Sequence, residues 1–235
     1  RIEYVPDLDI ALTDRIYNLS STGEGYVIRN NTILRNRARG LLLRSRGIAS
    51  GNVLDQCSQA GFMIMNEPNW DAGPVPYGVT LQNNTIIGCG YTNQFSTPAA
   101  VQIFASKAPY YPADVKGLRD IRLINNRIID SYRDGIYIGS AQGVDLTSNS
   151  ISVRADIVWP NASGITVERS GGVRIQGLHI TDLRPVSRAG IWIRSSVDPG
   201  SNGFDCIGYS ALLTPGVPAI RNDRPVGVAQ SRVYE

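Results

Sequence analysis

A single histidine, His179, stands among the 235 residues, lysine occurs only as Lys107 and Lys116, and cysteine only as Cys57, Cys89 and Cys206. With so few ligand-type side chains the chain holds no zinc motif and no Ser/His/Asp arrangement, and no glycine loop of the phosphate-binding kind is present. The odd number of cysteines, without metal-ligand spacing, defines no disulfide framework. No apolar run approaches the roughly 18 residues of a membrane span, so none is expected. Positive charge is almost entirely arginine, the net charge is +3, and no block of consecutive basic residues occurs, which leaves out a nucleic-acid footprint. Helical periodicity is missing too: apolar residues recur at i and i+2, the strand period.

What the chain does have is a repeat. Asn31, Asn52, Asn84, Asn126 and Asn149 each stand two residues before Ile33, Leu54, Ile86, Ile128 and Ile151, and Leu178 takes the same place before Ile180. A second stretch follows in every unit: Gly40 to Leu43, Gly61 to Ile64, Ala100 to Ile103, Gly135 to Ile138, Gly164 to Val167 and Gly190 to Ile193. Units of this length that cannot bury their own apolar face stack into a solenoid. The expected fold is all-β, a right-handed single-stranded parallel β-helix of about six or seven coils, with two short strands per unit. Residues 26–195 form the helix, 1–25 a partial coil or lead-in, and 196–235 a C-terminal extension or cap. Leu41, Phe62, Val101, Ile136, Ile165 and Ile191 fill one interior column; Ile28, Leu81, Leu123, Leu146 and Ile175 fill another. The asparagines stack at a bend, each bonding to the next through its amide. Leu178 breaks that stack near its last coil. Cys57 and Cys89 follow the ladder position on successive coils, where they can pair or pack as small hydrophobes.

Irregular spacing points to function. Nine residues separate the ladder position from the second stretch at 31 to 40, 52 to 61 and 126 to 135, but 16 do at 84 to 100. Two long return loops, Asn66 to Tyr77 and Phe104 to Asp120, leave neighbouring coils at one edge and are expected to rise side by side as a wall. Their carboxylates and aromatics suit a sugar, whose CH face packs on a ring. Glycoside hydrolysis needs two carboxyl groups, and stacked coils supply the spacing. Glu67 and Asp71 are the leading pair, with Asp134 and Asp55 as further acids whose turn positions also suit backbone hydrogen bonds. Outward residues Gln102, Tyr137 and Trp192 of the second strands, with Arg194, offer an elongated groove, or a face covered by a tail or a neighbouring subunit. His179 reads as structural.

The run Arg35-Asn-Arg-Ala-Arg-Gly-Leu-Leu-Leu43, with Ser50-Gly-Asn-Val-Leu54, Gly61-Phe-Met-Ile64, Asn69-Trp-Asp-Ala-Gly73 and Val79-x-Leu-x-Asn-Asn-Thr-Ile86, resembles the β-helical α-1,3-galactosidases of glycoside hydrolase family 110 over about residues 14 to 105. That resemblance implies an inverting exo-glycosidase acting on terminal galactosides without a cofactor, and relatives with further N-terminal coils. Glu67 and Asp71 then serve as acid and base, with Arg37, Arg39, Trp70 and Tyr137 positioning the sugar. Two other readings stand beside it: a polysaccharide lyase or epimerase, and a non-catalytic glycan-binding, adhesin or structural module. The expected partner is an oligo- or polysaccharide, with no nucleic acid, no metal and no cofactor. A homo-oligomer or a missing N-terminal segment fits as well. The expected location is secreted or extracellular, and sequons at Asn18, Asn30, Asn83 and Asn161 are compatible with it. The chain opens on Arg1 without a signal-peptide pattern, as a processed or excised piece does.

Overall fold

A computed structural model describes residues 17–70, 73–92, 98–107, 111–200, 202–225 and 233–234. Three parallel sheets run the length of the molecule. Sheet A stacks Tyr26–Arg29, Gly47–Ser50, Val79–Gln82, Leu118–Ile124, Ala141–Thr147, Gly171–Gln176, Phe204–Ile207 and Val233–Tyr234. Sheet B stacks Thr32–Leu34, Val53–Asp55, Thr85–Ile87, Arg127–Ile129, Ser150–Val153, His179–Asp182 and Ser210–Leu213. Sheet C stacks Leu41–Leu43, Phe62–Ile64, Ala99–Phe104, Asp134–Gly139, Ser163–Glu168, Ala189–Ile193 and Ile220–Asn222. One strand from each sheet makes a coil, and the coils number seven among the described residues. The chain past residue 195 adds strands to all three sheets.

Each unit therefore has three strands where the alternation suggested two. The first stretch bends just before the ladder residue, where Asn30, Gly51, Asn83, Asn125, Ser148, Gly177 and Gly208 all take φ between 51° and 64°. Asparagine and glycine tolerate this left-handed backbone best, which is why Asn-Asn and Gly-Asn recur there. The bend turns sheet A into sheet B and aims the ladder side chain inward.

The asparagine ladder is complete from coil one to coil five. Asn52 donates its backbone amide and its Nδ2 to Asn84 Oδ1 at 2.9 and 3.0 Å. Asn84 does the same to Asn126 at 3.0 and 2.9 Å, and Asn126 to Asn149 at 2.9 and 3.0 Å. The second Nδ2 proton reaches one coil the other way, to the carbonyls of Ile28, Ala49 and Leu81. Asn52, Asn84, Asn126 and Asn149 are at most 2% exposed, so without this pairing each would leave buried polar groups unsatisfied at about 1–3 kcal/mol.

Register places the expected apolar columns in line. Leu41, Phe62, Val101, Ile136, Ile165 and Ile191 are paired one after another in sheet C. In sheet A, Ala49 stands between Ile28 and Leu81. The glycine that opens the sheet C stretch is a matter of space. A Cβ on Gly164 would lie 2.7 Å from both the Gly190 carbonyl oxygen and Ile180 Cδ1. The sheet B isoleucines need that room.

Candidate functional site

The two long return loops are joined as a wall. Asn66 Nδ2 donates to the Ser106 carbonyl at 3.0 Å, and the Ser106 amide returns a 2.7 Å bond to Asn66 Oδ1. Within the second loop Ser106–Lys107 and Tyr111–Pro112 pair antiparallel. Beneath the wall the outer face of sheet C is dry: Ala60, Met63, Met65, Ala99, Phe104 and Tyr137 form a second apolar cluster. Gln102 and Tyr137, expected along an open groove, are 1% and 2% exposed.

Glu67 is 3% exposed, and its two carboxylate oxygens are held separately by Arg39 and Arg44. Two guanidinium groups thus offset one buried carboxylate and anchor it at the base of the wall. Asp71 lies outside the described residues. Trp70 is 69% exposed. Arg37 is exposed, and its carbonyl accepts a bond from the Ser58 hydroxyl. Asp55 belongs to sheet B and carries an enclosed Oδ1 without a hydrogen-bond partner. These residues do not gather around one cavity.

Four of the expected residues do. Asp134, Tyr137, Trp192 and Arg194 line a cleft of about 450 Å³ over sheet C at coils four to six, together with Arg133 and Arg188. Stacking sets the spacing, since Tyr137, Thr166 and Trp192 are successive partners in register. Asp134 Oδ1 accepts the Ser163 amide at 2.7 Å. Burial drives the Asp134 carboxyl above its ordinary range, against the opposing pull of the Thr166 hydroxyl and the Ser163 amide. Burial also lowers the Arg133 and Arg188 guanidinium groups from theirs. At the far side Glu168 accepts from the Tyr137 hydroxyl and from Arg194. Burial, then the nearby Glu168 charge, pushes Tyr137 well up, so it holds its proton.

Arginine and tryptophan faces shape the rest. The Arg133 guanidinium lies 3.8 Å over the Trp159 ring, and Arg188 and Arg194 lie 4.0 and 4.9 Å over Trp192. Trp192 Nε1 donates to Asp223 Oδ2 at 2.6 Å, which fixes the indole. Flat guanidinium groups on indoles offer forked donors beside a hydrophobic plane, a combination fitted to carboxylate-bearing rings. Among the described residues no group of three or more His, Cys, Asp and Glu could hold a metal ion, and no helix is long and apolar enough to cross a membrane.

Sequence reasoning passed over Arg133 and Arg188 of the cleft, and Trp159 beneath Arg133. One signal was available for Trp159: the distance from Asn149 to Gly164 is 15 residues, so coil five also carries a long insertion. Arg133 and Arg188 sit in turns, and only the stacking of coils four to six brings them to one cleft.

The fold and this cleft define a class. The right-handed β-helix region family matches residues 16–202, and the chain belongs to it. No curated protein sequence matches the chain. Among solved structures it is similar to the mannuronan C-5 epimerase AlgE6 A-module of Azotobacter vinelandii, with a TM-score of 0.51, 13% identity, and coverage of 89% of this chain and 57% of that one. It is also similar to PfbA, a surface adhesin of Streptococcus pneumoniae, with a TM-score of 0.39, 8% identity, and coverage of 84% and 69%. The chain thus spans little more than half of the epimerase module.

Proposed function

We propose that this protein is a carbohydrate-active β-helix whose cleft over coils four to six takes an acidic oligo- or polysaccharide outside the cell. The arginine set supports this reading: three of the four charged residues lining the cleft are arginines, and they surround the enclosed carboxyl of Asp134. Guanidinium forks pair with sugar carboxylates, while Trp192 supplies a ring face.

Asp134 is the group suited to chemistry. A carboxyl with a raised pKa at the wall of a sugar cleft can give its proton to a leaving glycosidic oxygen. Tyr137, held protonated against Glu168, is a donor and a poor base. Hydrolysis with Asp134 as acid, and with Glu168 beside Tyr137 as the second carboxyl it requires once released from Arg194, therefore fits the site better than abstraction of a sugar proton by Tyr137. The galactosidase reading, with Glu67 and Asp71 as the pair, requires Glu67 to be released from Arg39 and Arg44.

One panel tests this. Binding of uronate-containing and neutral galactoside oligosaccharides is measured calorimetrically. Products are assayed for new reducing ends, for unsaturated uronate absorbance, and for solvent deuterium at the sugar carbon. We expect acidic glycans to bind and to yield reducing ends. Equal binding of neutral galactosides, or no binding of any acidic glycan, would overturn the proposal. Unsaturated ends or deuterium without cleavage would move it to lyase or epimerase.

A further inference from the structure

Beyond the cleft, two of the three buried thiols face one another. Leu34, Asp55, Ile87 and Ile129 are consecutive partners in sheet B, and two residues past each stand Asn36, Cys57, Cys89 and Ser131. Main-chain pairing continues through this corner, with Ser58 N to Asn36 O at 2.9 Å, Gly90 N to Cys57 O at 3.2 Å and Tyr132 N to Cys89 O at 3.5 Å. Cys57 and Cys89 are therefore neighbours one coil apart. The roughly 4.8 Å between stacked strands falls inside the Cα separations of about 4.4–6.8 Å that a disulfide spans. The Cys89 thiol reaches into coil two, 3.6 Å from the Leu54 carbonyl, and both residues are 0% exposed. Cys206 sits apart, in sheet A on coil seven, paired with Ile175 and Val233.

We propose that Cys57 and Cys89 form a disulfide that staples coil two to coil three when the chain folds in an oxidising compartment, and that Cys206 stays a thiol. A small-molecule or protein disulfide is the oxidant. Cys57 attacks one of its sulfurs, giving a mixed disulfide and releasing one thiol. Cys89 then attacks the Cys57 sulfur, forming the protein bond and releasing the second thiol. In sum the pair gives up two electrons and two protons, and one disulfide is reduced to two thiols. The Cys89 hydrogen bond brings the Cys57 thiol down to about 7, which suits it to attack first. Burial at both sulfurs directs the reaction to folding or to transient opening, and shields the product afterwards.

The loop so closed contains the wall segment with Asn66, Glu67 and Trp70, so the staple fixes the foot of the wall.

The test refolds the full chain in a glutathione redox buffer and, in parallel, under dithiothreitol, then alkylates and maps the peptides. Folded protein treated with glutathione disulfide serves as a second arm. Under oxidising conditions we expect only Cys206 to be alkylated, one linked Cys57–Cys89 peptide two hydrogens lighter, and a thermal midpoint raised on the order of 10 °C over the reduced protein. Cys57→Ser and Cys89→Ser should show no oxidation-dependent midpoint; Ser131 already fills the same column, so serine fits there. Alkylation of all three cysteines in both arms, a disulfide involving Cys206, or an oxidised protein melting below the reduced one would each overturn the proposal.

Discussion

Arg184 and Asp182 face one another with both side chains 0% exposed, Nε donating to Oδ1 at 2.9 Å and Nη2 to Oδ2 at 2.5 Å. The remaining guanidinium nitrogen reaches back across coil five to the carbonyl of Arg133 at 3.0 Å. The pair thus anchors the turn that presents Arg133 and Asp134 to the cleft. Arg184→Ala should cost about 3–5 kcal/mol because it strands a buried carboxylate. Replacing both, as Asp182→Leu with Arg184→Met, should cost less than the single change. Urea unfolding of the three variants measures this, and a double variant less stable than Arg184→Ala would refute it.

Ladder position decides the cost of losing an asparagine. Asn84→Ala breaks bonds to Asn52, Asn126 and Ala49 in a buried setting and should cost about 3 kcal/mol. Asn31→Ala, at the exposed first rung, should cost under about 1 kcal/mol. Similar denaturation midpoints for the two variants would contradict the ladder's energetic role.

Gly164→Ala should destabilise by about 1–3 kcal/mol through overpacking against Ile180 and the Gly190 carbonyl. Pairing it with Ile180→Val should recover part of the loss, read as a rise in thermal midpoint. An unchanged midpoint on Gly164→Ala alone would remove the steric explanation for the recurring glycine.

The pH dependence has a definite sign at Asp134. Its folded carboxyl titrates above its unfolded one, so the native state holds the extra proton between the two values. Its stabilising contribution is full below about pH 4 and declines as pH rises through the folded value. Asp134→Asn should flatten that decline and raise the midpoint at neutral pH, while abolishing any glycan cleavage. Thermal melts across pH on the two proteins check it; parallel curves would assign the slope elsewhere.

Arg188→Ala should weaken binding of an acidic oligosaccharide on the order of tenfold, the loss of one charge-assisted contact. Neutral sugars should be insensitive. Calorimetry on both ligands separates a charge effect from collapse of the Trp192 stack.

Much of the architecture was written in periodicity. Five asparagines and five glycines recur because each solves a problem that every coil poses, a polar bend or a crowded contact. The third strand stayed hidden because the corner occupies one residue, Asn30 or Asn83 for instance, and leaves the apolar alternation almost intact. The cleft was less legible. Tyr137 and Trp192 could be placed on one face by register alone, but Arg133 and Arg188 belong to turns of different coils, which no local pattern connects. The surroundings of Glu67 were hidden for a related reason: an acid beside an aromatic in a long loop looks the same whether it meets solvent or two arginines.

The ladder ends at Asn149, and Leu178 fills the next place with a buried side chain that offers no polar group. Under tension along the axis, the molecule is consequently a rod of two grades. Coils six and seven are held to the rest by strand pairing, apolar contact and side-chain bridges such as Arg184 to Arg133 and Arg194 to Glu168, whereas coils one to five also share a continuous spine. A rupture begun at the C-terminal end would travel to coil six and then meet a step in resistance, which gives the rod a built-in breaking point just beyond the cleft's first two coils.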